Sequence, residues 1–331
     1  MLALLQSILI LASVGLPVAS LFVWVRLVRD LERGRPWVCF EHRRAVPWGL
    51  MTVGAVGLIM LLAAALGSAV AARWSGNGAD LVRATAKGQD LPTAAVSSEQ
   101  VEQAWNDIEA SSQARPVGAA DFVGLAVGSI GAVLMCYAWL RLAHRATVGD
   151  LGYSLRHLTT DLRLGTKAFI ALIVPVLLLQ IILTQWWPSE HPLAKFLEES
   201  PHPANFVLVG IVAVIVAPLF EETLFRMLLQ GWLEKLDCEL QSASHAGSTH
   251  SPPLLEELRP RAWTIAVSAT LFALAHYTHG PDWIPLLLLA SGLGYIYQRT
   301  HRIQACLVIH FLVNLLAVCQ LWYHVASPGP G

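Results

Sequence analysis

Residues 200–230 read SPHPANFVLVGIVAVIVAPLFEETLFRMLLQ. The first 21 of them, 200–220, carry no Asp, Glu, Lys or Arg, close to the roughly 20 apolar residues a helix needs to cross the hydrocarbon core of a bilayer. Glu221, Glu222 and Arg226 then stand inside the continuing apolar run. The stretch therefore reads as a membrane helix with ionisable groups set into it.

The rest of the chain repeats the pattern. Further charge-free blocks cover 1–25, 45–72, 122–140, 168–189, 262–281, 283–298 and 303 to the C-terminus. Of the 331 residues, 55% are hydrophobic and 14% charged, well below the roughly 25% charged residues of a soluble domain. The fold class expected is all-α: a polytopic membrane helix bundle with about eight transmembrane helices. The block 283–298 is short, at 16 residues, and contains Pro285, Gly292 and Gly294, so tilt or local thinning must fit it to the bilayer. The first block has no Lys or Arg before it and an Arg cluster after it, which reads as a retained anchor rather than a cleaved signal.

Charge sets the expected orientation. The loops 26–44, 141–167, 230–261 and 299–302 hold sixteen of the 22 Lys and Arg, and the opposite loops hold five. The positive-inside rule places the first set in the cytoplasm and both termini outside, in a multi-pass cell membrane (inner or plasma) protein. The loop 73–121 then lies outside, where Ser97–Gln100 resembles a capping box before Val101, Trp105 and Ile108. Leu151–Leu164 suits a helix lying on the cytoplasmic interface. The Ser-, His- and Pro-rich segment 236–260 reads as a flexible insertion whose His245 and His250 are solvated.

Other features are blander. The net charge of -1 says little about partners, and neither a nucleic-acid-binding patch nor a dinucleotide motif is present, so no nucleic acid is expected. Cys39, Cys136, Cys238, Cys306 and Cys319 show no C-x-x-C spacing, so they read as packing residues. His279, His301 and His324, with Trp186, Trp187 and Trp322, fall near span ends and read as interfacial, and Asp282 as a helix cap. The Gly-rich spans at 54–67 and 124–131 suit close packing against neighbours.

Inside the spans lie Glu221, Glu222, Arg226, His276 and His310, joined by Asn314. An ionisable group there costs at least about 2.5 kcal/mol, so each needs a partner or a task. Glu222 and Arg226 are four apart, one helical turn, and can pair. Glu221 is rotated by about 100 degrees from Glu222 and is left without a cationic partner on its own helix, which suits a general base. Phe272 and His276 share a face, as do His310 and Asn314, and two hydrogen-bonding groups in one row can grip one oxygen. Glu222 lies fourteen residues before Leu236, and His276 thirteen residues after Trp263; antiparallel packing brings them to one depth.

The order E-E-x-x-x-R, F-x-x-x-H and H-x-x-x-N on successive apolar helices resembles the CPBP intramembrane proteases, the CAAX prenyl protease type 2, bacteriocin-processing and Abi-like family. The resemblance covers about 146–322. It divides the chain into an N-terminal membrane region 1–145 with three spans, a protease core 146–322 and a short tail 323–331. It implies that Glu221 activates a water, that His276 holds or polarises it, and that His310 and Asn314 stabilise the oxyanion, with Glu222, Arg226 and Phe272 supporting. Met227 stands where the family commonly has Gly, and the insertion between the first two motifs is long.

The expected activity is an intramembrane endopeptidase acting on membrane-associated or lipidated peptide or protein substrates within the lipid bilayer. One carboxylate with two histidines is also a zinc set of the His2Glu type, so Glu221, His276 and His310 stand as an alternative metal site. No H-E-x-x-H motif is present, and water activation without metal is the preferred reading. A transporter or proton relay lacks its usual inverted repeats here. A non-catalytic scaffold or immunity factor has no reason to bear the cost of buried polar groups.

Overall fold

The computed structural model describes residues 2–42, 44–72, 118–187, 192–245 and 258–327. The capping box at Ser97–Gln100 and His250 lie outside them. Among the described residues the secondary structure is helical, without strands: α1 (Leu2–Glu32), α2 (Leu50–Ala72), α3 (Ala119–Ala143), α4 (Leu158–Thr184), α5 (Pro192–Glu199), the long α6, α7 (Trp263–Leu274), α8 (Trp283–Thr300) and α9 (Ile303–Ala326). Helix α6 joins Pro203–Ile211, a π-helical turn at Val212–Val216, Ala217–Glu221, a second π-helical stretch at Glu222–Gln230, and Gly231–His245. The chain is an all-α, multi-pass membrane bundle.

Six described helices are long and apolar enough to cross a membrane, fewer than the eight expected. The block 262–281 falls short because its helix, α7, has 12 residues and stops at Leu274, a length of about 18 Å against a core of about 30 Å. Gly280, with φ 86, and Pro281 turn the chain back into α8. Gln298 donates to Thr264 Oγ1 at 2.9 Å, so α7 and α8 lie antiparallel with the ends away from their connecting turn level.

Three other expectations change. Leu151–Leu164 is not a separate interfacial helix: a 3-10 turn at Leu155–His157 runs directly into α4. Asp161 is fully buried there because Arg302 donates to both its oxygens, at 3.0 and 2.9 Å. The segment 236–260 is helical as far as His245, since Asp237 is buried on accepting from Arg261 and Trp263. His301 is buried with φ 53, its Nδ1 3.2 Å from Glu234. A side chain paired in that way has no need of the interface.

Pro175 interrupts α4 and cannot donate to the carbonyl four residues back, that of Ala171. Trp24 of α1 supplies the missing donor through Nε1 at 3.0 Å. At the loop ends, Asp150 receives Arg44 and Thr147. Burial acts to raise its pKa, but these donors hold the carboxyl below its ordinary value.

Helices α2 and α3 meet glycine to glycine. A Cβ on Gly67 would run into the Gly124 carbonyl oxygen and the Gly128 Cα, whereas one on Gly131 meets nothing within 4 Å. The glycine stripes thus pack against each other within the chain. Gly67→Ala is expected to destabilise the protein by about 1 to 3 kcal/mol through overpacking, and Gly131→Ala to leave it unchanged or slightly stabler. Thermal unfolding in detergent compares the two.

Candidate active site

Helix α6 supplies the carboxylates. Its π-helical stretch begins at Glu222, and the Gly231 N–H donates to the Arg226 carbonyl five residues back. Such wide turns are rare and are frequently found at functional sites. Side chains from neighbouring elements bond to carbonyls along this stretch: Ser268 Oγ donates to Phe225 O at 2.8 Å, and Trp48 Nε1 to Leu228 O at 3.0 Å. They hold the widened backbone in place.

The expected pair is present. Arg226 Nε lies 3.3 Å from Glu222 Oε2, and both side chains are wholly buried. The Arg226 guanidinium sits over the Phe272 ring, 4.8 Å from its centroid, while among the described residues its Nη1 and Nη2 have no acceptor. Glu222 has a second partner that spacing on one helix did not reveal, for its Oε1 is 2.9 Å from His310 Nδ1. An ionised carboxylate only accepts. Beside Arg226, Glu222 therefore takes a hydrogen from Nδ1 and leaves the His310 Nε2 facing elsewhere.

That nitrogen faces Glu221, 3.6 Å from its Oε2. His276 approaches from the other side, its Nε2 4.0 Å from Glu221 Oε1. The orientation of His276 is also fixed, since its Nδ1 lies 2.9 Å from the Phe272 carbonyl, which can only accept. It therefore both donates to a backbone carbonyl and turns Nε2 to the carboxylate. His276 stands in the turn after α7, where irregular backbone at membrane depth is tolerated only if buried in protein or lining a cavity.

Phe272 is fully buried, packed against His276 with ring centroids 5.0 Å apart and edge-on to His310 at 5.9 Å. The Glu221 and His276 side chains retain 20% exposure, whereas His310 keeps 4%. The centre is thus open on the side of Glu221 and closed behind His310. Asn314 lies one turn from His310 on α9 and donates from Nδ2 to the Ala213 carbonyl at 2.7 Å. One of its two amide hydrogens is committed to the backbone of α6.

Several buried or half-buried polar groups within the bundle lie outside the three motifs. Gln230 and Glu234 extend the row of Glu222 and Arg226 at the same four-residue spacing, and Gln230 donates to Glu234 and to the Gly294 carbonyl. That row was visible in the spacing. Tyr137 joins Tyr153 and Thr223 by hydroxyl contacts of 2.7 and 2.9 Å, an arrangement with no signal in the linear sequence. Asp282 sits at the N-cap of α8 but makes no side-chain cap bond, and its carboxylate accepts from Gln180 of α4.

The two imidazoles, each with Nδ1 bonded, also have the outer hydrogen bonds typical of metal-bound histidines. Among the described residues, however, no group of three or more His, Cys, Asp and Glu is close enough to hold a metal ion. As placed, the donor set does not fit one.

No curated protein and no solved structure matches the chain. Residues 203–316, which hold all three motifs, match the family described as type II CAAX prenyl endopeptidase Rce1-like, so the chain carries an Rce1-like segment and the resemblance to the CPBP intramembrane proteases is borne out.

Proposed function

We propose that this protein hydrolyses peptide bonds of lipidated or membrane-associated substrates, with Glu221 activating a water molecule. The observation that carries this is the convergence of the His276 and His310 Nε2 atoms on the two oxygens of one carboxylate. Both gaps exceed direct hydrogen-bond length, and polar contacts at such separations are commonly bridged by water.

Glu221 takes a proton from the water, and the resulting hydroxide attacks the scissile carbonyl carbon. His276, with its Nδ1 bonded to Phe272 O, accepts the water's other hydrogen at Nε2 and orients it. In the protonated form His310 donates Nε2–H to the developing oxyanion while Glu222 balances its charge. The second amide hydrogen of Asn314 serves the same oxyanion. The C–N bond then breaks, and Glu221 returns its proton to the leaving amine. The basic loops face the cytoplasm in this reading, and substrate reaches Glu221 from the exposed side of the centre.

The test uses purified protein in liposomes with a farnesylated C-a-a-X peptide and its unlipidated counterpart. We expect release of the C-terminal tripeptide from the lipidated form, unchanged by a chelator. Equal inertness towards both peptides would overturn the substrate class. Loss on chelation with recovery on added zinc would replace water activation by metal chemistry.

A further inference from the structure

We propose that Asn314 is a positioning residue that replaces the hydrogen bond Pro218 cannot make, and thereby fixes Glu221 relative to His310. Pro218 lies inside α6, three residues before Glu221, and has no N–H. Immediately before it the helix widens to a π-helical turn, in which the Ala217 N–H donates to the Val212 carbonyl five residues back. In that register the nitrogen of residue 218 would donate to the carbonyl of residue 213. Proline cannot, and the Ala213 carbonyl is buried, with Ala213 8% exposed. The donor that reaches it is Asn314 Nδ2, at 2.7 Å.

A buried carbonyl left without a donor is costly, so this bond couples two helices at one point. On α6 the bond lies two turns before Glu221. On α9 it lies one turn from His310, whose Nε2 faces the Glu221 carboxylate at 3.6 Å. The same amide thus satisfies the helix break and sets the spacing between carboxylate and imidazole. This deepens the functional reading above and adds to Asn314 a task separate from contact with the oxyanion.

The experiment is a double-mutant cycle with Asn314→Ala and Pro218→Ala, because an alanine in place of the proline restores the backbone N–H. Asn314→Ala alone is expected to lower kcat about tenfold to a hundredfold through misplacement of the catalytic groups and to lower the unfolding midpoint by about 2 to 4 °C. In the Pro218→Ala background the same substitution should cost little in the unfolding midpoint, and its loss of kcat should shrink to the part that the oxyanion contact supplies. An equal loss of kcat in both backgrounds would show that Asn314 acts on the substrate alone. The unfolding midpoints read the coupling without any activity, so they decide the inference even if the proposed function fails. An equal midpoint shift in both backgrounds overturns it.

Discussion

Glu221→Gln is expected to reduce kcat at least about a thousandfold while leaving the unfolding midpoint near that of the natural protein. Glutamine keeps the shape and one carbonyl oxygen but cannot take the proton of a water. General acid–base groups contribute roughly 10² to 10⁴ in rate, and in the proposed mechanism one group serves first as base and then as acid. Stability should hold because the Glu221 side chain is 20% exposed and stands 3.6 and 4.0 Å from its imidazole neighbours, so little direct bonding is lost. Single-turnover cleavage of the lipidated peptide, with a thermal scan on the same sample, checks both halves. Turnover at the natural rate would remove Glu221 from the chemistry.

The second large effect is expected at Glu222 and has the opposite character. Glu222→Leu leaves the Arg226 guanidinium, wholly buried, without its counter-charge. Removing one member of a buried pair costs about 3 to 5 kcal/mol. The same substitution takes the acceptor from His310 Nδ1, so turnover should fall as well. The double variant Glu222→Leu/Arg226→Met separates the two roles. Replacing both charges by apolar groups is often neutral, so most of the stability should return. The activity should not, because His310 still lacks the partner that aims its Nε2 at Glu221. An unfolding midpoint unchanged by Glu222→Leu alone would mean that the pair contributes nothing to stability, and recovery of both properties in the double variant would assign Glu222 a structural role only.

The two carboxylates are adjacent in sequence yet belong to different environments. Glu222 turns inward to a cation and an imidazole, while Glu221 stays on the open side between two Nε2 atoms. The difference between their environments follows from one step of rotation along α6.

The membrane bundle, the Glu222–Arg226 pair and the separation of Glu221 from it were legible in the sequence, because apolar length and helical spacing act locally. The row through Gln230 and Glu234 is legible by the same spacing. Spacing on one helix says nothing about what a neighbouring helix presents, which is why the bond from His310 to Glu222 and that from Asn314 to the Ala213 carbonyl emerged only from the packed structure. The length of α7 differs from expectation for a related reason. An uncharged block reports that a segment can be buried, but not where its helix ends, and the turn at Gly280 places His276 beyond the last turn of α7.

By itself the sequence determined that this is a multi-pass membrane bundle and which side chains in its apolar segments must find partners, since the transfer cost of each residue depends on its own chemistry. Tertiary structure alone decided which partners they found. It brought Glu221 of α6, His276 of the turn after α7 and His310 of α9 together, because the direction of a side chain in space depends on how α6 widens around Pro218 and on which donor reaches its freed carbonyl.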